Sequence, residues 1–210
     1  MQAKLDLDTN PIEKATLCLS EKKFAVIDNF LPLNLYRKLC FESRRQHLEG
    51  LTRPAKIGRL SSSRLNKKIR GDKIRWICKT DSPVAIHPVF DTFEELRLHL
   101  KQNLFLPLHD TEHHLAVYPP GGFYKRHLDC HRNLNNRVIT FILYLNRRNW
   151  SHKNGGQLKV WFDEDETEQF LPIGNRLILF SSADFYHAVL PCTAERYSFT
   201  GWFRRQAAIF

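Results

Sequence analysis

Three residues of this 210-residue chain have types and spacing that could do chemistry together: His127, Asp129 and the distant His187. In a β-strand, positions i and i+2 point to the same face. The H-x-D pair can therefore present an imidazole and a carboxylate side by side, and a histidine from another strand can close a three-point facial site. Two histidines and one carboxylate leave three positions of an octahedral ion open. That suits ferrous iron, which must bind a bidentate co-substrate and dioxygen at once, better than catalytic zinc with its three protein ligands and a water. An H-x-D alone says little in a chain with ten histidines and 22 acids, but its context adds to it. His187 lies in the apolar run FYHAVLP, where a buried histidine needs a partner. Arg196 follows in ERYSF, whose alternation aims Arg196, Ser198 and Thr200 to one face and Tyr197, Phe199 and Gly201 to the other. An arginine facing a β-sandwich interior requires an anion. A dicarboxylate co-substrate is one, and a salt bridge to Asp163 or Asp165 is the plainer alternative. Other histidines compete less well. His131 shares the parity of His127, but the asparagines of 133–136 end the strand first, and His109, His113 and His114 read as ordinary polar residues, the last two on opposite faces.

These residues need elements to hold them. Asn10-Pro11 offers a cap and a first-turn proline for a helix with Ile12, Ala15, Leu17 and Leu19 that reaches Lys22. FAVIDNF (24–30) reads as a strand, and Pro32 opens a second helix through Leu35, Leu39 and Phe41 to about Leu48. A third helix spans 88–104, with Phe90, Phe93, Leu96, Leu100 and Leu104 on one side. From His113 the texture changes to seven short β-type runs separated by Pro-Pro-Gly-Gly, Asn-Gly-Gly and Ile-Gly-Asn, which predicts an antiparallel sandwich or jelly roll. The expectation is one α+β domain over 1–210: a helix-strand-helix opening (1–50), a basic segment (53–79) and a jelly-roll core (113–205).

With 42% hydrophobic and 26% charged residues, the chain is not disordered, collagenous or a bare repeat array. Its formal net charge is +10 and its pI near 9.5. Segment 53–79 holds ten basic residues against Asp72 alone, so the chain is basic in one place. Such a run is usually a solvated loop, but like charges in one segment repel, which favours a role in recognising a partner. Five cysteines, odd in number and without C-x-x-C, read as reduced thiols, and no apolar run approaches the ~18 residues of a membrane span. A cytoplasmic protein with no membrane partner is expected, with a monomer favoured.

The strings YPPGGFYKRHLD (118–129), RVITFILYLN (137–146), NGGQLKVWF (154–162), His187 and RYSFTGW (196–202) together resemble the catalytic core of the 2-oxoglutarate- and iron(II)-dependent prolyl hydroxylases. KIRGDKIRWI (68–77) is similar to the finger loop of the hypoxia-sensing members and their bacterial relatives. VYPPGGFYKRHLD (117–129) and FTGWFRR (199–205) look like the bacterial branch that modifies elongation factor Tu. The turn after Tyr118 is one residue shorter than in the animal enzymes.

The resemblance implies a double-stranded β-helix with packing helices, in which His127, Asp129 and His187 hold iron. It also implies that Arg196 and Tyr144 bind the distal carboxylate of 2-oxoglutarate, and that Tyr118, Leu158, Val189, Thr200 and Trp202 line the pocket. The cofactors implied are Fe(II), 2-oxoglutarate and O2, with ascorbate as an additional reductant. The reaction implied is hydroxylation at the 4-position of a prolyl residue in a protein, elongation factor Tu being a candidate, with release of succinate and CO2. Arg70, Asp72 and Trp76 match the finger pattern, and with Arg137 they are expected to bind the peptide, Asp72 pairing with a basic group such as Arg137.

A nucleic-acid dealkylase of the same superfamily is the enzymatic rival that the basic segment invites. Those enzymes carry a second arginine six positions after the co-substrate arginine, and Trp202 stands there, so nucleic acid is not the expected partner. A non-catalytic basic binding module is the rival from another class.

Overall fold

The computed structural model describes residues 10–57, 64–130 and 136–206. Helix α1 (Pro11–Lys22) starts as its sequence dictates: the Asn10 side chain accepts from the Ile12 N–H (2.9 Å), and Pro11 fills a first-turn position that needs no donor. Strand β1 (Phe24–Ile27) and helix α2 (Leu33–Leu48) complete the helix-strand-helix opening. The expected apolar face of α2 needs one correction, because Phe41 is 70% exposed. Leu35, Tyr36, Leu39 and Cys40 already form the buried stripe at helical spacing, and Phe41 falls outside it. Helix α3 (His87–Leu104) buries Val89, Phe93, Leu96 and Leu100 completely.

In the basic segment KIRWI has the β-type residues of a strand and forms one: strand β2 (Arg53–Pro54) pairs with β3 (Lys73–Ile77), and a further bridge joins Ile57 to Arg64. Gly58 and the serines at 61–63, residue types that read as a loop, lie outside the described residues, as does His131. Eight more strands follow: β4 (Asp110–Tyr118), β5 (Tyr124–His127), β6 (Arg137–Tyr144), β7 (Leu158–Trp161), β8 (Thr167–Phe170), β9 (Leu177–Ser181), β10 (Tyr186–Val189) and β11 (Arg196–Arg204). β4 begins three residues before the expected His113, because Asp110, Thr111 and Glu112 extend the ladder without an apolar signal.

All strand pairs are antiparallel, in a seven-stranded sheet β1-β9-β6-β11-β4-β3-β2 and a four-stranded sheet β5-β10-β7-β8. This is the jelly roll, with helices packed on the outer face of the large sheet. Period-two alternation sorts the strands of that sheet between two cores. Leu115, Val117, Phe141, Leu143, Tyr197, Phe199 and Phe203 join the helices in one core. Ala116, Tyr118, Ile142, Tyr144, Ile178 and Phe180 meet Leu158, Val160, Phe170 and Val189 of the small sheet in the other. Phe93, stacked on Phe141 at 4.5 Å, ties α3 to the sheet, and its truncation to alanine costs about 3–5 kcal/mol. The cysteines carry no disulfide among the described residues, and no described helix is long and apolar enough to cross a membrane.

Candidate active site

His127 closes β5, His187 lies in β10, and the ladder makes the two residues direct partners. Their ring centroids are 4.2 Å apart. Each imidazole is aimed by its own strand: Nδ1 of His127 donates to the Lys125 carbonyl (2.8 Å), and Nδ1 of His187 to the Phe185 carbonyl (3.1 Å). A carbonyl only accepts, so both Nδ1 atoms carry the proton and both Nε2 atoms keep a lone pair. Those lone pairs meet at Asp129, whose Oδ1 is 3.6 Å from His127 Nε2 and whose Oδ2 is 3.5 Å from His187 Nε2. One ligand atom from each residue lies within 4.8 Å of the other two, the spread of three ligands around one cation.

The i, i+2 rule does not place Asp129, because β5 ends at His127 and the aspartate follows in a bend. The large sheet holds it instead. Thr140 Oγ1 on β6 donates to Asp129 Oδ2 (2.9 Å) and is itself 2.9 Å from Ser182 Oγ. Burial lowers the His187 pKa to about 4, keeping the ring neutral with its lone pair available. Burial opposes the Asp129 charge, but its attraction to His187 and His127 as these take up protons, and to Arg137, outweighs burial and holds the carboxyl well below the usual carboxylate range. Two imidazoles and a firm carboxylate suit a divalent cation.

Arg196 is 1% exposed and pairs with no acid among the described residues, so neither Asp163 nor Asp165 neutralises it. Its Nε donates to the Gly156 carbonyl (2.9 Å), and its guanidinium lies 4.9 Å from the ring centres of both Tyr118 and Tyr144. The Asn-Gly-Gly turn has to be glycine here: Gly156 sits at φ +71°, and a Cβ there would come within 2.9 Å of Arg196 Cδ. Two buried polar atoms remain without a partner, Arg196 Nη2 and the Tyr144 hydroxyl. Burial pushes the Tyr144 phenol up against the opposing pull of Arg196, so the hydroxyl is a neutral donor. A buried cation with an unsatisfied N–H beside an unsatisfied O–H is a site prepared for a carboxylate.

One cavity of about 740 Å³ is lined by Arg196, Tyr118, Leu158, Val189 and Thr200, by the three triad residues, and by Trp202, Trp76, Arg70 and Arg137. Tyr144, fully buried, is not among the lining residues and meets the cavity through Arg196. Ser198 and Thr200 share the face of Arg196, as alternation requires, while Tyr197 and Phe199 turn to the helices.

The finger is fastened to this cavity at its base. Arg70 bridges Tyr124, and Gly71 N–H donates to the Phe123 carbonyl (2.9 Å). Asp72 pairs with a basic group at the cavity, Arg70 and not the candidate Arg137: its carboxylate accepts from both Nε (2.7 Å) and Nη2 (2.6 Å) of Arg70. Arg137 on β6 is held across the intervening β11 by Glu112 on β4 (2.7 Å), and lies 3.4 Å above the Trp202 ring. Two residues were missed in the sequence. Tyr124 stacks on His127 at 3.6 Å under the Arg70 guanidinium, where a register shift between β10 and β5 sets aside simple alternation. His114 faces the cavity, and adjacent histidines left open which of the pair would do so.

The description "2OG-Fe(II) oxygenase superfamily" matches residues 113–204. Prolyl hydroxylase EGLN3 of Mus musculus is 30% identical, over 95% of this chain and 86% of that one. The chain belongs to the prolyl hydroxylases of this superfamily. Solved structures agree with that placement. A Pseudomonas putida prolyl-4-hydroxylase superposes with a TM-score of 0.83 at 37% identity, covering 93% of this chain and 100% of that one. A prolyl hydroxylase in complex with a hypoxia inducible factor oxygen degradation domain peptide fragment, from Trichoplax adhaerens, gives 0.84 at 28% identity over 97% and 94% of the two chains. This hydroxylase is an oxidoreductase that works with Fe(II), 2-oxoglutarate and O2, and the donor set and the unsatisfied Arg196–Tyr144 pair fit those groups.

Proposed function

We propose that this hydroxylase adds oxygen to the 4-position of a prolyl residue in a protein substrate, with conversion of 2-oxoglutarate to succinate and CO2. In this reading His127, Asp129 and His187 hold the iron, which when bound supplies the dioxygen chemistry. Thr140 fixes the carboxylate, and the backbone carbonyls of Lys125 and Phe185 fix the two tautomers. Arg196 and Tyr144 bind the distal carboxylate of 2-oxoglutarate. Tyr118, Leu158, Val189, Thr200 and Trp202 shape a slot that keeps the co-substrate dry. Arg70, Asp72, Trp76 and Arg137 frame the peptide side, and ascorbate serves as a reductant that maintains ferrous iron. The reaction belongs to the cytoplasm, and elongation factor Tu is the first protein to try, on the resemblance of segments 117–129 and 199–205 to its bacterial hydroxylase.

The observation that carries this reading is the buried, acid-free Arg196 in the same cavity as a His₂ carboxylate triad. A nucleic-acid binder needs no such cation inside its sheet sandwich. The test is anaerobic visible absorbance during titration with ferrous iron and 2-oxoglutarate. A charge-transfer band that vanishes with His127→Ala, and needs more 2-oxoglutarate with Arg196→Ala, supports the assignment. Folded protein with no band overturns it. Mass spectrometry of elongation factor Tu for one added oxygen then tests the substrate.

A further inference from the structure

The cavity contains a second pair of unsatisfied buried atoms, away from Arg196. His114 Nδ1 and Trp202 Nε1 are both buried and have no hydrogen-bond partner among the described residues. The two side chains are 5% and 6% exposed, and their rings stack at 5.3 Å and 25°. Trp76, from the finger strand β3, lies 5.1 Å from His114 and 6.0 Å from Trp202, completing a three-ring wall. Trp76 is itself 51% exposed, so the wall is finished on its protein side and open on the other.

Trp202 also lines the co-substrate slot, and the wall runs from it through His114 to Trp76 of the finger. β3 and β4 place Trp76 opposite His114, and Arg70, Arg137 and Asp129 are among the charged groups that act on the His114 ring. Arg137 caps the Trp202 ring from above. The wall therefore stands on the finger side of the triad, where a peptide must enter to bring a proline to the metal.

The chemistry of the two atoms narrows what they bind. An indole N–H only donates, so the ligand must supply an acceptor. Burial takes the His114 pKa to about 3, so its ring is neutral and cannot form an ion pair with an acidic side chain. A neutral imidazole either donates or accepts at Nδ1, and a neutral group with both functions is the peptide unit. Leaving two such atoms unpaired in a dry site carries a cost that a bound amide removes.

We propose that His114 is a substrate-positioning residue, its Nδ1 and the Trp202 Nε1–H hydrogen-bonding the main-chain amide beside the target proline. This rests on the reading of the site as a peptidyl-proline hydroxylase. It assigns recognition of the chain direction to the backbone, leaving side-chain selection to the finger.

The variants are His114→Leu, which keeps an apolar filler, and His114→Asn, whose amide puts a polar atom near the place of Nδ1. The probe is a degenerate eleven-residue peptide library with a fixed central proline, passed over immobilised enzyme loaded with Mn(II) and 2-oxoglutarate and quantified by mass spectrometry. The wild type should retain more of it than of the same library with central alanine. His114→Leu should retain roughly tenfold less, the effect of one lost hydrogen bond in a dry site, and His114→Asn should recover to within about threefold. The anaerobic Fe(II)–2-oxoglutarate band should keep its half-saturation in both variants.

Equal retention by wild type and His114→Leu, both showing the band, overturns the proposal and leaves the site reading standing. So does a loss in His114→Leu that His114→Asn does not recover. Absence of the band in the wild type overturns the site reading and the proposal with it, and no preference of the wild type for central proline overturns the peptide assignment.

Discussion

The two ends of the cavity are built differently. At the Arg196 end the groups come from the ends of sheet strands and the Gly156 turn, the guanidinium is 1% exposed, and the unsatisfied atoms are held by the sheets. At the finger end the parts are rings and ion pairs. Arg70 is bound by Asp72, and Glu112 joins Arg137 to Arg204, while half-exposed Trp76 hangs from a ribbon. A small rigid dianion gains most from a cage whose ordering is complete on folding, whereas a peptide is better served by stacked and ion-paired surfaces that can re-aim. Substitutions at the two ends should therefore separate kinetically, one set acting on 2-oxoglutarate and the other on the peptide.

The largest effect is expected from Arg196→Met. Loss of the buried guanidinium should raise the half-saturation for 2-oxoglutarate by about 100-fold or more, with the peptide KM at saturating co-substrate little changed. The same change removes a buried charge that has no counter-charge until co-substrate arrives, so ligand-free Arg196→Met should melt above the wild type. A lower melting temperature, or equal damage to both KM values, breaks the contrast between the ends. Between them, Thr140→Val removes the hydroxyl that positions Asp129. It should weaken iron binding about 10–100-fold while the 2-oxoglutarate half-saturation at saturating iron stays put, as read by the charge-transfer band.

How much was legible in the sequence differs between these ends for a physical reason. Arg196, Ser198 and Thr200 obey the period of two in one long central strand, so their face could be read directly, and the pairing of β5 with β10 brings His127 to His187. Asp129 was found for a reason that does not hold, since a bend and Thr140 place it rather than the strand. The finger end was less legible for mixed reasons. The Asp72–Arg70 pair spans only two residues and was open to reading, whereas nothing local shows that Glu112 takes Arg137 or that a register shift lays Tyr124 on His127. Strand β8 was missed because TEQF is a polar edge strand with only Phe170 buried.

A smaller effect is expected from Asp72→Asn. It leaves Arg70 (13% side-chain exposure) without its counter-charge, so stability should fall by about 3 kcal/mol in urea unfolding, the range for breaking a buried pair from one side. The peptide KM should rise about tenfold, because the Arg70–Tyr124 stack that anchors the finger loosens, while the 2-oxoglutarate half-saturation should not move. A shift in the co-substrate constant would show that the ends are coupled through Tyr124 and His127.

The smallest effect separates the paired histidines of β4. Burial lowers His113 to about 4 and His114 to about 3, against a normal 6.5. Below the normal value the unfolded chain takes up a proton that the folded chain refuses, so each histidine contributes stability that is intact above about pH 6.5 and is lost as pH falls toward its folded value. For His114 the loss between pH 7.5 and pH 5 comes to about 2 kcal/mol. In metal-free protein His187 adds a like slope, and comparison of wild type with His114→Leu cancels it. Urea unfolding at the two pH values should show the variant losing about 2 kcal/mol less than the wild type. Identical pH slopes would mean that His114 titrates alike in the folded and unfolded chain, so that burial does not hold its ring neutral, and would remove the ground for a neutral reader of the backbone at the finger end.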